Sequence, residues 1–172
     1  MPIKFSIELT AKYCNSWPWL QITNNNVVIY DNEIKETQSI SLNITGGVLK
    51  LIGIKKNNDT QLSADNKIIQ DKLLRVDKIV IDDIDMGIEF IRHLKFNNEL
   101  GTEVSFLNTT FYENGEITIN LQEPILSWII EEKFIKLLST YGDDKRMYSS
   151  VFSKFKYSVL HEKIKNLRNL IK

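Results

Sequence analysis

Apolar and polar residues alternate with a period of two over much of the first 123 residues, which predicts half-buried β-strands. The first such run, residues 3–10, reads IKFSIELT. Further strand-like runs cover residues 20–23, 27–30, 39–44, 48–54, 73–81, 104–112 and 116–121. Short strands at this spacing, with no helical periods between them, are typical of an antiparallel β-sandwich or jelly roll.

Turn residues between the runs predict how the strands connect. Residues 24–26 are three asparagines, a turn-forming tripeptide. Thr45-Gly46-Gly47 predicts a hairpin between the strands before and after it, and Asn114-Gly115 predicts a second one. The run 73–81 is apolar on both faces at its centre, so we expect it in the middle of a sheet. Residues 86–100 fit either a short helix or an extended loop.

After Pro124 the period changes to three and four residues, which predicts helices with one apolar face. We therefore predict an α+β chain: a jelly-roll-like antiparallel sandwich over residues 1–123, followed by amphipathic helices over residues 124–172. The apolar stripe of the last helix needs a partner, because such a helix is not stable alone in water. That partner is the sandwich itself, another subunit or a membrane surface, and the residues predicted to dock are Tyr148, Phe152, Phe155, Leu160 and Leu167.

The net charge of zero conceals an uneven distribution. Residues 1–144 hold 14 basic and 21 acidic residues, whereas residues 145–172 hold 8 basic residues and 1 acidic residue. A basic tail of this kind docks on an acidic partner or nucleic acid, or it folds back onto its own acidic body. Nucleic acid is the weaker alternative, because a neutral chain neutralises few phosphates. No apolar run approaches the roughly 20 residues of a membrane span.

Few residues offer catalytic chemistry. The single cysteine, Cys14, excludes an intrachain disulfide and is expected to be a buried structural thiol. Only two histidines are present, and the sequence contains no HExxH motif, phosphate loop or nucleophile elbow. We therefore expect no enzymatic activity, although two acids at the separation of a glycosidase pair stay an alternative.

Two clusters suggest binding. Trp17, Trp19 and Tyr30 lie close together early in the chain, and aromatic faces stack on the apolar faces of sugar rings, so they predict a carbohydrate site. The alternative is a core plug at one end of the sandwich. Carboxylates are dense between residues 59 and 89, above all in residues 82–85, DDID. They are either solvated acids at strand ends or ligands for a hard cation such as calcium.

Three segments carry a resemblance to known families. Residues 46–54 read GGVLKLIGI, residues 59–60 read DT and residues 71–84 read DKLLRVDKIVIDDI. This pattern resembles the second half of calcium-dependent xylan-binding-type carbohydrate-binding modules. With PILSWIIEE at residues 124–132, it is also similar to small jelly-roll proteins of T4-like marine cyanophages. The resemblance covers roughly residues 1–132. Position 83 is Asp where the modules often have Gly, and the tail has no counterpart in them.

The phage resemblance implies a non-enzymatic virion structural or accessory protein. Its partners would be other virion proteins, or a second copy, bound through the helical tail, and a glycan is a further candidate ligand. The module resemblance implies the alternative function, a calcium-dependent carbohydrate-binding module, with matching acidic positions at Asp59, Asp77, Asp82 and Asp83. Because the chain opens on a strand and not on a secretory signal, we expect it in the virion or the host cytoplasm.

Overall fold

Alternation of apolar and polar residues produces two antiparallel sheets in the computed structural model, which describes residues 2–54, 60–106 and 108–132. Two helices accompany the sheets, and the second of them, α2, covers residues 125–132 of the described part. The other elements are β1 Ile3–Lys12, β2 Trp19–Asn24, β3 Val27–Glu33, β4 Thr37–Ile44, β5 Gly47–Ile54, β6 Gln61–Leu62, β7 Ile68–Gln70, β8 Leu73–Ile81, β9 Ile84–Asp85, α1 Ile88–Arg92, β10 Lys95–Asn98, β11 Glu103–Ser105, β12 Thr110–Phe111 and β13 Gly115–Leu121.

The two sheets share one hydrophobic core, which confirms the predicted β-sandwich. The five-stranded sheet has the order β12-β8-β1-β4, with β9 also paired to β8. The six-stranded sheet has the order β11-β10-β13-β5-β2-β3. Strands β6 and β7 form a separate two-stranded ribbon. As predicted, the long strand β8 is internal, because it pairs with β1 on one side and with β9 and β12 on the other.

Both predicted glycine hairpins are wrong, because the chain changes sheets at each of these turns. Strand β4 pairs with β1 in the five-stranded sheet, whereas β5 pairs with β2 and β13 in the six-stranded sheet. Likewise β12 pairs with β8, whereas β13 pairs with β10 and β5. The chain does turn at both places, but each flanking strand pairs with a strand from another part of the sequence.

Asparagine side chains from the β2–β3 turn hold the first of these sheet-changing corners. The Asn24 side chain accepts a hydrogen bond from the Thr45 backbone N–H at 2.8 Å and donates to the Thr45 carbonyl at 3.1 Å. The Asn25 side chain accepts from the Val48 N–H at 2.9 Å and donates to the Gly46 carbonyl at 2.9 Å. These bonds satisfy corner groups that a hairpin ladder would otherwise pair, so the corner is stable without β4–β5 pairing.

The second corner depends on close packing of aromatic rings. Gly115 lies opposite Gly53 in the β13–β5 pair. A Cβ atom at Gly115 would lie 2.5 Å from the Phe96 ring, and one at Gly53 would lie 2.5 Å from the Phe111 ring. These two rings contact each other with centroids 5.6 Å apart. The glycine at 115 is therefore required for core packing beneath β13.

For residues 86–100 the sequence left open a short helix or an extended loop, and the structure has a short helix there. These residues form the short helix α1, which buries Phe90 and Ile91, and then strand β10. The predicted helix after Pro124 is confirmed for residues 125–132. Its Trp128 contacts the Phe90 ring edge to face at a centroid distance of 6.3 Å. No helix in the described ranges is long and apolar enough to cross a membrane.

The predicted docking residues of the tail lie outside the described residues. These are Tyr148, Phe152, Phe155, Leu160 and Leu167. The assembly role assigned to them, and the boundary between body and tail, stay predictions.

Candidate functional site

The outward face of the six-stranded sheet carries an unusual mixture of side chains. Along β2, Leu20 and Ile22 point into the core, so Trp19 and Gln21 point outward. Along β5, Leu49 and Leu51 are buried, so Ile52 and Ile54 point outward although both are apolar. We call this surface the outer platform and define it by Trp19, Gln21, Asp31, Ile52, Ile54, Asn97 and Glu116.

Strand register places these residues in two rows. One row crosses five strands in the order Asp31, Gln21, Ile52, Glu116 and Asn97. At the usual strand spacing this row is about 19 Å long. In the adjacent row, Trp19 lies directly opposite Ile54. The outer platform thus has an apolar strip between acidic and amide side chains.

A depression of about 560 Å³ opens at the end of the platform where β10 and β13 lie. It is lined by Ile52, Gly53, Ile54, Asn97, Asn98, Glu99, Gly101, Asn114, Gly115 and Glu116. Its rim is held by side-chain bonds: Asn98 Oδ1 accepts from the Thr102 N–H at 2.9 Å, and the Asn114 amide donates to Glu99. A concave surface with apolar walls and a few polar groups is the usual form of a small-ligand site.

Two contacts orient the polar groups of the platform. The indole N–H of Trp19 donates to Asp31 Oδ1, which links the half-buried ring to the neighbouring strand. Lys50 pairs with Glu116, with Nζ 3.0 Å from Oε1, and both side chains are 31% exposed. The Glu116 carboxylate therefore keeps accessible surface while the ion pair limits its rotamers.

The structure separates the three predicted aromatic residues. Trp17 packs edge to face on Tyr13, with a centroid distance of 5.3 Å, and contacts the core. Tyr30 lies opposite the buried Ile22 and is therefore on the inward side of β3. Burial raises the pKa of Tyr30 above its ordinary value of 10.0, and a side-chain hydrogen bond with Gln38 partly offsets this effect. Of the three, the platform includes Trp19 alone.

The described acidic residues proposed as metal ligands are also placed apart. Asp77 sits where the β1–β8 register shifts; it accepts a hydrogen bond from Thr10 Oγ1 at 2.6 Å and pairs with Arg75. Asp82 and Asp83 follow the end of β8, and that end lies about 13 Å beyond Asp77 along the strand. Asp59 lies outside the described residues.

Asp82 and Asp83 have a local structural role. They form the two-residue turn between the paired residues Ile81 and Ile84, with φ angles of 51° and 65°. Such turns need positive φ at both positions, which Asp and Asn adopt more easily than most residues. Asp83 also pairs with Lys4 at 3.4 Å. In the described part of the chain, no three His, Cys, Asp or Glu side chains come together as metal ligands, and calcium binding by the predicted residues stays a prediction.

Sequence reasoning missed most of the platform, although one signal was present. Residues 48–54 have apolar side chains on both faces, which favours a strand covered on both sides. In the described structure only the inward side of β5 is covered by the core, so Ile52 and Ile54 are apolar residues on an outward face. An outward apolar pair beside a tryptophan is a sign of a binding surface.

Comparison with known proteins gives matches to solved structures. No protein-family model matches the chain, and no curated protein matches it. A selenomethionine form of vCBM60, described with two families of calcium-dependent carbohydrate-binding modules linked by circular permutation, is 10% identical, with a TM-score of 0.43, over 69% of this chain and 90% of its own. The complex of vCBM60 with galactobiose is 11% identical, with a TM-score of 0.43, over 68% of this chain and 97% of its own. At this level, the likeness does not transfer a ligand or a site to this chain.

Proposed function

We propose that this protein binds a carbohydrate on the outer platform. The observation that carries the proposal is the row of acidic, amide and apolar side chains beside Trp19. A sugar ring has apolar C–H faces, which pack on aromatic and aliphatic side chains, and a rim of hydroxyls that donate and accept hydrogen bonds. Trp19 and Ile54 supply the first kind of contact, and Gln21, Asn97 and Glu116 supply the second.

The charges of the platform favour a neutral sugar or an amino sugar. Asp31, Glu99 and Glu116 contribute carboxylates to this face, and Lys50 is paired with Glu116. A uronic acid or sialic acid would bring a further negative charge next to these carboxylates, at a cost in affinity. An amino sugar would add an attractive contact.

Binding without hydrolysis is the activity that the geometry supports. Lys50 forms an ion pair with Glu116, and Glu99 accepts a hydrogen bond from Asn114. Both cavity carboxylates are thus arranged as hydrogen-bond acceptors. No feature of the described residues favours the virion role, which stays a prediction from the resemblance.

Titration of the full chain with neutral, amino and acidic oligosaccharides tests the proposal by calorimetry and by NMR. Trp19→Ala should weaken binding about 10- to 100-fold, because covering one large apolar side chain contributes roughly 1.5–3 kcal/mol. Tyr30→Phe is the matched control, since Tyr30 faces inward. Unchanged affinity in the Trp19 variant would refute the proposal. Repeating the titration in EDTA tests calcium dependence.

A further inference from the structure

We propose that the free edge of β4 pairs antiparallel with β4 of a second copy of this chain, which joins their five-stranded sheets. Among the described strands, β4 lies at one edge of the five-stranded sheet, with β1 as its neighbour. Its pairing with β1 is regular over all eight residues, without a register shift. A regular edge strand presents unpaired backbone N–H and C=O groups to any strand that approaches it.

Backbone bonds show which β4 residues point to the free side. The Asp82 N–H donates to the Lys4 carbonyl at 2.7 Å, so the backbone of Lys4 faces β8. Backbone groups alternate along a strand, hence Phe5 and Ile7 face β4, where they are opposite Leu42 and Ile40. The remaining positions of β4 therefore direct their N–H and C=O groups outward, and these positions are Thr37, Ser39, Ser41 and Asn43.

Both edges of the six-stranded sheet carry features that hinder pairing with another chain, whereas β4 does not. Strand β3 has a register shift against β2 and carries Asp31 and Glu33. Strand β11 is three residues long and contains Glu103. Bulges, short length and charge are the ordinary means by which proteins protect sheet edges. Strand β4, TQSISLNI, has no charged residue and no proline.

The chemistry of β4 suits a second copy of itself. Around a two-fold axis the strand meets its own sequence, so a charged residue would oppose a like charge, and β4 has none. The four positions whose backbone groups point to the free side have small hydroxyl or amide side chains, and all four side chains are exposed. Side chains of this size let two backbones approach each other. Leu42 is only partly buried against the core at this edge. A paired strand would cover it and extend both cores.

Light scattering of the full chain after size exclusion, over a wide concentration range, tests this inference. We expect a dimer with twice the 20.0 kDa mass of one chain. Ser41→Pro removes one outward N–H and leaves the bonds to β1 intact, and should weaken dimerisation at least about 10-fold. Ser41→Lys is the second variant, in case the proline disturbs folding, because it sets two like charges close together across the axis. Asn32→Lys, on the edge strand β3, is the matched control and should stay dimeric.

Two results would overturn the inference. One is a wild-type chain that stays monomeric at the highest concentration. The other is a dimer that persists in both Ser41 variants, which would place the contact elsewhere, such as the predicted docking residues of the tail. Sugar binding by the Ser41 variants is measured in parallel and should match the wild type, so failure of the dimer is distinguishable from failure of the platform.

Discussion

The two outward faces of this sandwich follow the same alternation rule but differ in chemistry. On the five-stranded sheet, the outward residues of β1 are Lys4, Ser6, Glu8 and Thr10, and charges there pair locally, as Lys78 does with Glu8 at 3.8 Å. On the six-stranded sheet, the outer platform places Trp19, Ile52 and Ile54 in the same structural position. The first face is suited to solvent. The second has apolar surface that gains free energy when a ligand covers it.

The comparison shows that the two faces differ in the identity of their outward residues and not in the fold. A sandwich supports either kind of face, because its stability comes from the inward residues. Four changes test this difference, in order of decreasing expected effect.

The largest effect should follow overpacking of the core beneath the platform. Gly53→Ala would place a Cβ atom 2.5 Å from the Phe111 ring, so β5 must move away from the core or the ring must be displaced. We expect a loss of about 3 kcal/mol in the free energy of unfolding, measured by urea denaturation. Gly101→Ala is the control: its Cβ meets nothing within 4 Å, and the positive φ of 74° should cost about 1 kcal/mol. Equal losses in the two variants would contradict the packing argument.

The corner between the two sheets should give the next largest effect. Asn24→Ala leaves the Thr45 N–H without the acceptor that now lies 2.8 Å away. An unsatisfied, part-buried donor should lower the free energy of unfolding by about 2 kcal/mol. Asn32→Ala, at an exposed position of β3, should change it by less than about 0.5 kcal/mol. Chemical denaturation followed by tryptophan fluorescence measures the free energy of unfolding of both variants. Similar losses in the two variants would contradict the role of Asn24 in holding the corner.

A matched pair of truncations compares the faces directly. Ile52→Ala on the outer platform and Val80→Ala on the opposite outward face both shorten a half-buried aliphatic side chain. We expect each to lower stability by about 1 kcal/mol. Ile52→Ala alone should weaken sugar binding, by about 3- to 10-fold, because it removes apolar surface next to Trp19. Calorimetric titration checks this, and an equal loss of affinity in the Val80 variant would refute the difference between the faces.

The smallest effect concerns pH. Because burial raises the pKa of Tyr30, folding disfavours the ionised phenolate. The neutral side chain therefore contributes stability that is fully present below pH 10.0 and is lost as the pH rises through the higher folded pKa. Tyr30→Phe should make the alkaline fall of stability shallower, as followed by thermal melts at a series of pH values. A fall of the same steepness in this variant would show that other groups cause it.

Much of the fold was predictable because its signals are local. The alternation in residues 3–10 predicts strand β1. The asparagines at 24–26 predict the turn between β2 and β3, where Asn25 and Asn26 have φ angles of 51° and 65°. Asp82 and Asp83 show the same turn chemistry, and of the two interpretations that the sequence leaves open, acids at a strand end and metal ligands, their positive φ angles fit the first.

Only one residue of the outer platform, Trp19, could be predicted from the sequence. Trp19 was recognised by its type, but Gln21, Ile52, Asn97 and Glu116 come from four separate strands and have no sequence pattern in common. Their alignment depends on the register of β2, β5, β13 and β10. Register is set by long-range pairing that local turn signals do not specify.

The sequence alone determined the class of structure: half-buried strands, a thiol expected to be buried at Cys14, and a helix that begins after Pro124, each dictated by residue type and periodicity within a few positions. Only the tertiary structure decided which strands are neighbours. The turn residues at Gly46-Gly47 and Asn114-Gly115 indicate that the chain reverses, but they do not specify whether the next strand joins the same sheet or the facing one. The choice follows from contacts distant in sequence, such as Asn24 with Thr45 and Gly53 with Phe111. These contacts form only when both sheets are packed together.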